Sequence, residues 1–63
     1  MEVTVELTNG KALNLKGLHA ILFYDEYTCA VTTKKEHFTV NDRGSTTHFY
    51  QSKIVLVTVN RRD

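Results

Sequence analysis

The side chains able to do chemistry in this chain are His19, His37, His48, Cys29, Ser52, Asp25, Glu26 and Glu36. A nucleophile with its base would take Cys29 and one of the histidines. The spacing matches no catalytic arrangement, however, and Cys29 alternates with polar neighbours in the manner of a small buried hydrophobe on a strand. Three histidines and a cysteine could also ligate zinc, yet no pair has the close spacing of a CxxC or HxxxH site. The histidines read as scattered and exposed. Gly10, Gly17 and Gly44 are isolated, so no glycine-rich loop cradles a phosphate. No catalytic set, metal site or cofactor is expected, and an enzyme ranks last among the functional readings.

Binding is better supported. Two stretches set rings beside polar and cationic groups: Tyr24-Asp25-Glu26-Tyr27-Thr28 and Phe49-Tyr50-Gln51-Ser52-Lys53. Bases of single-stranded nucleic acid stack on rings while amides, hydroxyls and ammonium groups meet base edges and phosphates. The competing reading of any one ring is core. Phe49, Tyr50 and one of Tyr24 and Tyr27 would serve equally well in the interior.

The elements that must position these stretches read as strands. Val3, Val5 and Leu7 alternate with Thr4, Glu6 and Thr8, the period of a strand with one wet face. Asn9-Gly10 then signals a hairpin, and a second strand runs from about Lys11 through Leu13 and Leu15 to a bulge or sharp bend at Gly17. Leu18 to Tyr24 is nearly all apolar and fits a doubly buried strand or one helical turn, the β-rich surroundings favouring strand. Asp25-Glu26 reads as a turn, Tyr27, Cys29 and Val31 as a third strand, Thr33 to Glu36 as a charged connection, and Phe38 and Val40 as a short strand before the turn-rich Asn41 to Ser45. The last third, Thr46 to Val59, is β-branched and aromatic without proline or glycine. It is too long for one strand of a small domain, so Gln51-Ser52-Lys53 reads as a hinge between two.

Composition bounds the whole. The 63 residues form one domain, and a chain of this size buries only about 60% of the surface its unfolded form exposes. Eight basic against seven acidic residues, a net charge of +1, argue against gripping a duplex by bulk charge. Cys29 stands alone, no signal peptide fits before the first strand, and no run of about 18 apolar residues occurs. A soluble, cytoplasmic protein is expected, with no membrane partner.

Across Val3 to Val59 the chain resembles the Sm-like proteins, and within them the bacterial Hfq branch. The resemblance lies in Val3-Thr4-Val5-Glu6-Leu7-Thr8-Asn9-Gly10 as the first strand and its turn, and in Leu13, Gly17 and Tyr24-Asp25-Glu26-Tyr27 as the rest of a first motif. Tyr50-Gln51-Ser52-Lys53-Ile54-Val55-Leu56-Val57 has the tyrosine-to-isoleucine spacing of the second. Three departures stand beside it. Gly17 comes two residues late, Gln51 and Ser52 replace the basic-histidine pair of Hfq-type proteins, and nothing before Val3 could form the family's opening helix. The resemblance implies an all-β fold, a small, strongly bent five-stranded antiparallel barrel that assembles into a ring of six or seven. Strands 46–50 and 54–59 of neighbouring copies would pair. It also implies single-stranded RNA as partner, bound near the pore by Glu26, Tyr27, Thr28, Gln51 and Ser52, with Lys53 adjoining. Without the basic-histidine pair, weaker binding to uridine-rich RNA is expected. Arg61 and Arg62 read as a solvated tail able to add nonspecific phosphate contacts. The alternative from another class is a small-barrel protein-interaction module or regulator that docks a protein through an exposed strand edge.

Overall fold

The computed structural model describes residues 1–61. The alternation at the start of the chain makes β1 (Glu2–Leu7), in which Val3 and Val5 are fully buried. The chain reverses through Thr8-Asn9-Gly10 into β2 (Ala12–Lys16). The Gly10 amide donates to the Leu7 carbonyl at 3.1 Å, the Leu7 amide to the Lys11 carbonyl at 2.8 Å, and Gly10 has φ +84°. This is the three-residue hairpin built on a type I turn and a left-handed bulge residue. Asn9 serves through its side chain, whose Oδ1 accepts the Lys11 amide at 2.9 Å. The hairpin expected at Asn9-Gly10 is present, but only Gly10 needs the left-handed region.

At Gly17 the chain bends, and here the all-β expectation is corrected. Gly17–Thr32 is a single helix of 16 residues, α1. Its buried residues are Ala20, Phe23 and Ala30, with Tyr27 half-buried between them, a recurrence of three and four that only a helix brings to one face. The strand reading of Leu18 to Tyr24 and Tyr27 to Val31 followed the larger apolar side chains, yet Leu18, Ile21 and Val31 are exposed. Asp25-Glu26 is not a turn but mid-helix surface, and Cys29, read as a buried strand residue, is exposed on the helix. The helix ends in a Schellman turn. The Lys35 amide donates to the Ala30 carbonyl at 2.8 Å and the Lys34 amide to the Val31 carbonyl at 3.3 Å, with Lys34 left-handed at φ +58°.

Strands β3 (His37–Asp42) and β4 (Ser45–Tyr50) form a hairpin with register from His37↔Tyr50 to Asp42↔Ser45. Its loop is Arg43-Gly44 alone, with φ +52° and +83°, both positive as a type I′ turn requires. A single 3₁₀ turn, Gln51–Lys53, leads to β5 (Ile54–Asn60), which pairs antiparallel with β1. Five strands are therefore present, but the expected strand at Tyr27 to Val31 is not one of them; the hinge in the last third falls on the expected triplet. They lie in two antiparallel sheets, β2-β1-β5 and β3-β4. No strand pairing joins the two among the described residues, so the expected closed barrel is corrected to an open arrangement with α1 against the β3-β4 hairpin.

The core lies between them. Val3, Val5 and Leu15 come from one sheet, Phe38, Val40 and Phe49 from the other, and Ala20, Phe23 and Ala30 from the helix. Phe23 is its centre, with ring centroids 4.9 Å from Phe49 at 66° and 5.8 Å from Phe38 at 53°, the tilted geometry that aromatic quadrupoles favour. No helix of the described residues is long and apolar enough to cross a membrane.

Candidate nucleic-acid interface

The two stretches singled out in the sequence meet different fates. In the first, Tyr27 lies 5.6 Å from Phe23, nearly parallel, and 6.1 Å from Phe38. One face is thus packed against Phe23, and the residue is half-buried beside the core. The Thr28 hydroxyl donates to the Tyr24 carbonyl of its own helix at 2.7 Å, and two positions along a helix turn it away from Glu26. Glu26 is exposed and shares the walls of a cavity of about 200 Å³ with Cys29, Lys35, His37 and Thr39. No hydrogen bond joins Cys29 to His37 among the described residues. Tyr24 is covered by the Arg61 guanidinium, 5.9 Å from the ring centroid, a cation–π contact that ties the end of β5 to α1. Arg62 lies outside the described residues.

The second stretch stays at the surface. Glu36, just before β3, fastens the 3₁₀ turn: its carboxylate accepts the Ser52 amide at 3.0 and 3.2 Å, and its carbonyl accepts the Gln51 amide at 2.7 Å. From the other side the Thr8 amide donates to the Lys53 carbonyl at 3.0 Å. The backbone of the turn is thus held by two elements while the side chains of Ser52 and Lys53 remain exposed. The Ser52 and Gln51 amides are already used by Glu36, so neither is open to a ligand. Gln51 Nε2 is buried without a hydrogen-bond partner, beside an open hollow lined by Lys34, Lys35 and Glu36. Lys53 stands at the mouth of a cleft of about 360 Å³ that includes Leu7, Leu13, His48, Tyr50 and Ile54.

No protein-family model, curated protein or solved structure matches this chain. The site is therefore read from its own geometry.

Next to the turn lies a surface that sequence reasoning missed. Since Phe38, Val40 and Phe49 point inward, strand alternation sends His37, Thr39 and Asn41 of β3 and Thr46, His48 and Tyr50 of β4 to the opposite face. Paired in register as His37↔Tyr50, Thr39↔His48 and Asn41↔Thr46, they form a row of two imidazoles, a phenol, two hydroxyls and an amide. Tyr50 is 47% exposed, and its ring lies 4.8 Å from His37 at 27°. His37 Nε2 and His48 Nδ1 are 3.0 Å apart with ring planes within 7°. The 5.2 Å between their centroids is that nitrogen gap plus the radii of two rings, so the imidazoles lie edge to edge in one plane, joined by an N–H···N bond. Thr46 Oγ1 bonds Asn41 Oδ1 across the strands.

Of the six residues expected in the site, Ser52 and Lys53 follow this row at the surface, Glu26 borders it through the cavity shared with His37, and the Gln51 amide lies apart, in the hollow at the end of α1. Tyr27 and Thr28 are not brought to it. The signal that could have found His37, Thr39 and His48 is the hairpin register, which a two-residue loop at Arg43-Gly44 dictates.

Proposed function

We propose that this chain is a non-enzymatic, Sm-like binder of single-stranded RNA that works as a homo-oligomer in the cytoplasm. The observation that carries the reading is the row His37, Tyr50, His48, Thr39, Asn41 and Thr46, exposed or half-exposed among the described residues and running into the exposed Ser52 and Lys53. A base stacks on Tyr50, imidazole, hydroxyl and amide groups meet base edges, and Lys53 meets a phosphate. Stacking is sequence-tolerant and is worth about 1–3 kcal/mol per base, which suits a chain with a net charge of only +1. Assembly is supported by the open edges: among the described residues β4 pairs only with β3, and β5 only with β1. Pairing strand 46–50 of one copy with strand 54–59 of the next would cover these two edges and, repeated around a ring, leave neither of them open.

The test is native mass spectrometry with and without short oligouridine and oligoadenosine. The reading predicts an oligomer that gains the mass of the oligonucleotide, and a wild-type assembly that gains none contradicts it. A second reading rests on Val55 and Leu56, 64% and 52% exposed on β5: the same edge docks a strand of another protein. A monomer indifferent to RNA supports that alternative.

A further inference from the structure

We propose that His37 and His48 together bind a divalent first-row transition-metal ion of the zinc and copper class on the outer face of the β3-β4 hairpin. His37 Nε2 and His48 Nδ1 already face one another across 3.0 Å. Two imidazoles bound to one ion at about 2.0–2.1 Å, at angles between a right angle and the tetrahedral value, hold their nitrogens about 2.9–3.4 Å apart. The pair thus has ligand spacing before any ion arrives. With the nitrogens 3.0 Å apart, turning each ring by about 40–45° off the line that joins them aims both lone pairs at one ion outside the strands.

The surroundings favour that rotation over a larger rearrangement. The two residues are on adjacent strands of a hairpin whose register is fixed by the I′ turn at Arg43-Gly44. The Tyr50 ring lies against His37 and, being 47% exposed, is able to move with it as the imidazole turns. Both histidines are exposed, so an ion reaches them directly. The proton now held between the rings need not be lost. It moves to the other nitrogen of its own imidazole, and both ligands bind neutral.

The donor set names the metal class. Two imidazoles suit zinc, copper and nickel, whereas magnesium and calcium require oxygen ligands. No three of His, Cys, Asp and Glu come together as a metal cage among the described residues, so water or a second copy fills the remaining positions. The site escapes the sequence because its ligands are 11 residues apart and become neighbours only through the hairpin.

Isothermal titration of the untagged, chelator-treated protein with Zn²⁺, and separately Cu²⁺, tests the proposal in the absence of RNA. Saturable binding of zinc is expected, and none of magnesium. His37→Gln and His48→Gln should each lower zinc affinity at least about tenfold, since loss of even an outer-shell partner costs about 10–100-fold. His19→Gln should leave it unchanged. Imidazole ¹H–¹⁵N spectra of the wild-type protein avoid any question of variant folding: His37 Nε2 and His48 Nδ1 should shift on adding zinc and His19 should not. Absence of saturable zinc and copper binding, retention of binding in both single variants, or shifts confined to His19 would overturn the proposal.

Discussion

The two faces of the β3-β4 hairpin carry the same kinds of side chain and use them in opposite ways. On the inner face Phe38 and Phe49 lie 5.3 Å apart, nearly parallel, beneath Phe23 and Tyr27 of the helix. On the outer face Tyr50 lies against His37 and His37 is hydrogen-bonded edge to edge with His48, and among the described residues all three are exposed. Rings under the helix are stabilised by the water they exclude. Those outside gain far less from burial, so their grouping with hydroxyl, amide and ammonium groups is explained better by a ligand than by folding. The pair Tyr27 and Tyr50 makes the point within one residue type: one is packed by α1 against the core, and the other lies exposed beside His37 at the end of β4.

This contrast can be broken at several places. Phe49→Ala should cost about 3–5 kcal/mol of stability, as large-to-small changes of buried aromatics do, which in a domain of this size leaves a largely unfolded chain; urea denaturation with circular dichroism reads it. Tyr50→Ala should act on the other axis, weakening oligouridine binding by about 1–3 kcal/mol in fluorescence anisotropy while the urea midpoint stays close to wild type. If Tyr50→Ala unfolds the protein and Tyr27→Ala instead removes binding at unchanged stability, the two faces have been assigned the wrong way round. Glu36→Gln loses the charge of the carboxylate that holds the Ser52 amide, and a drop of about 1 kcal/mol in stability is expected. A weaker RNA complex should accompany it, because the turn that carries Ser52 and Lys53 is loosened. Smallest is Lys34→Gly, which replaces a left-handed lysine and touches neither face. It should raise stability by about 0.5–1 kcal/mol and leave RNA affinity unchanged.

Local signals were legible in the sequence where the chemistry is local. Alternation gave β1, Gly10 its hairpin, and the polar triplet the break between β4 and β5. The helix was hidden because its buried face is built from Ala20 and Ala30 as well as from rings. Alanine carries little hydrophobic signal, while exposed Leu18, Ile21 and Val31 carry much and point the wrong way. The same error displaced half the candidate site, since Glu26, Tyr27 and Thr28 cannot line a strand end once they belong to α1. His37 and His48 were out of reach for another reason. Their proximity depends on a register set by Arg43-Gly44, where an arginine stands at the first left-handed position that asparagine or glycine usually announces.

The most direct test of the outer face as the binding surface is an NMR titration of the ¹⁵N-labelled protein with a short oligouridine. The account predicts progressive shifts of His37, Thr39, His48, Tyr50, Ser52 and Lys53, with the buried Val3, Val5 and Phe23 little changed. Shifts absent throughout, or confined to α1 and the β1-β2 turn, would contradict it.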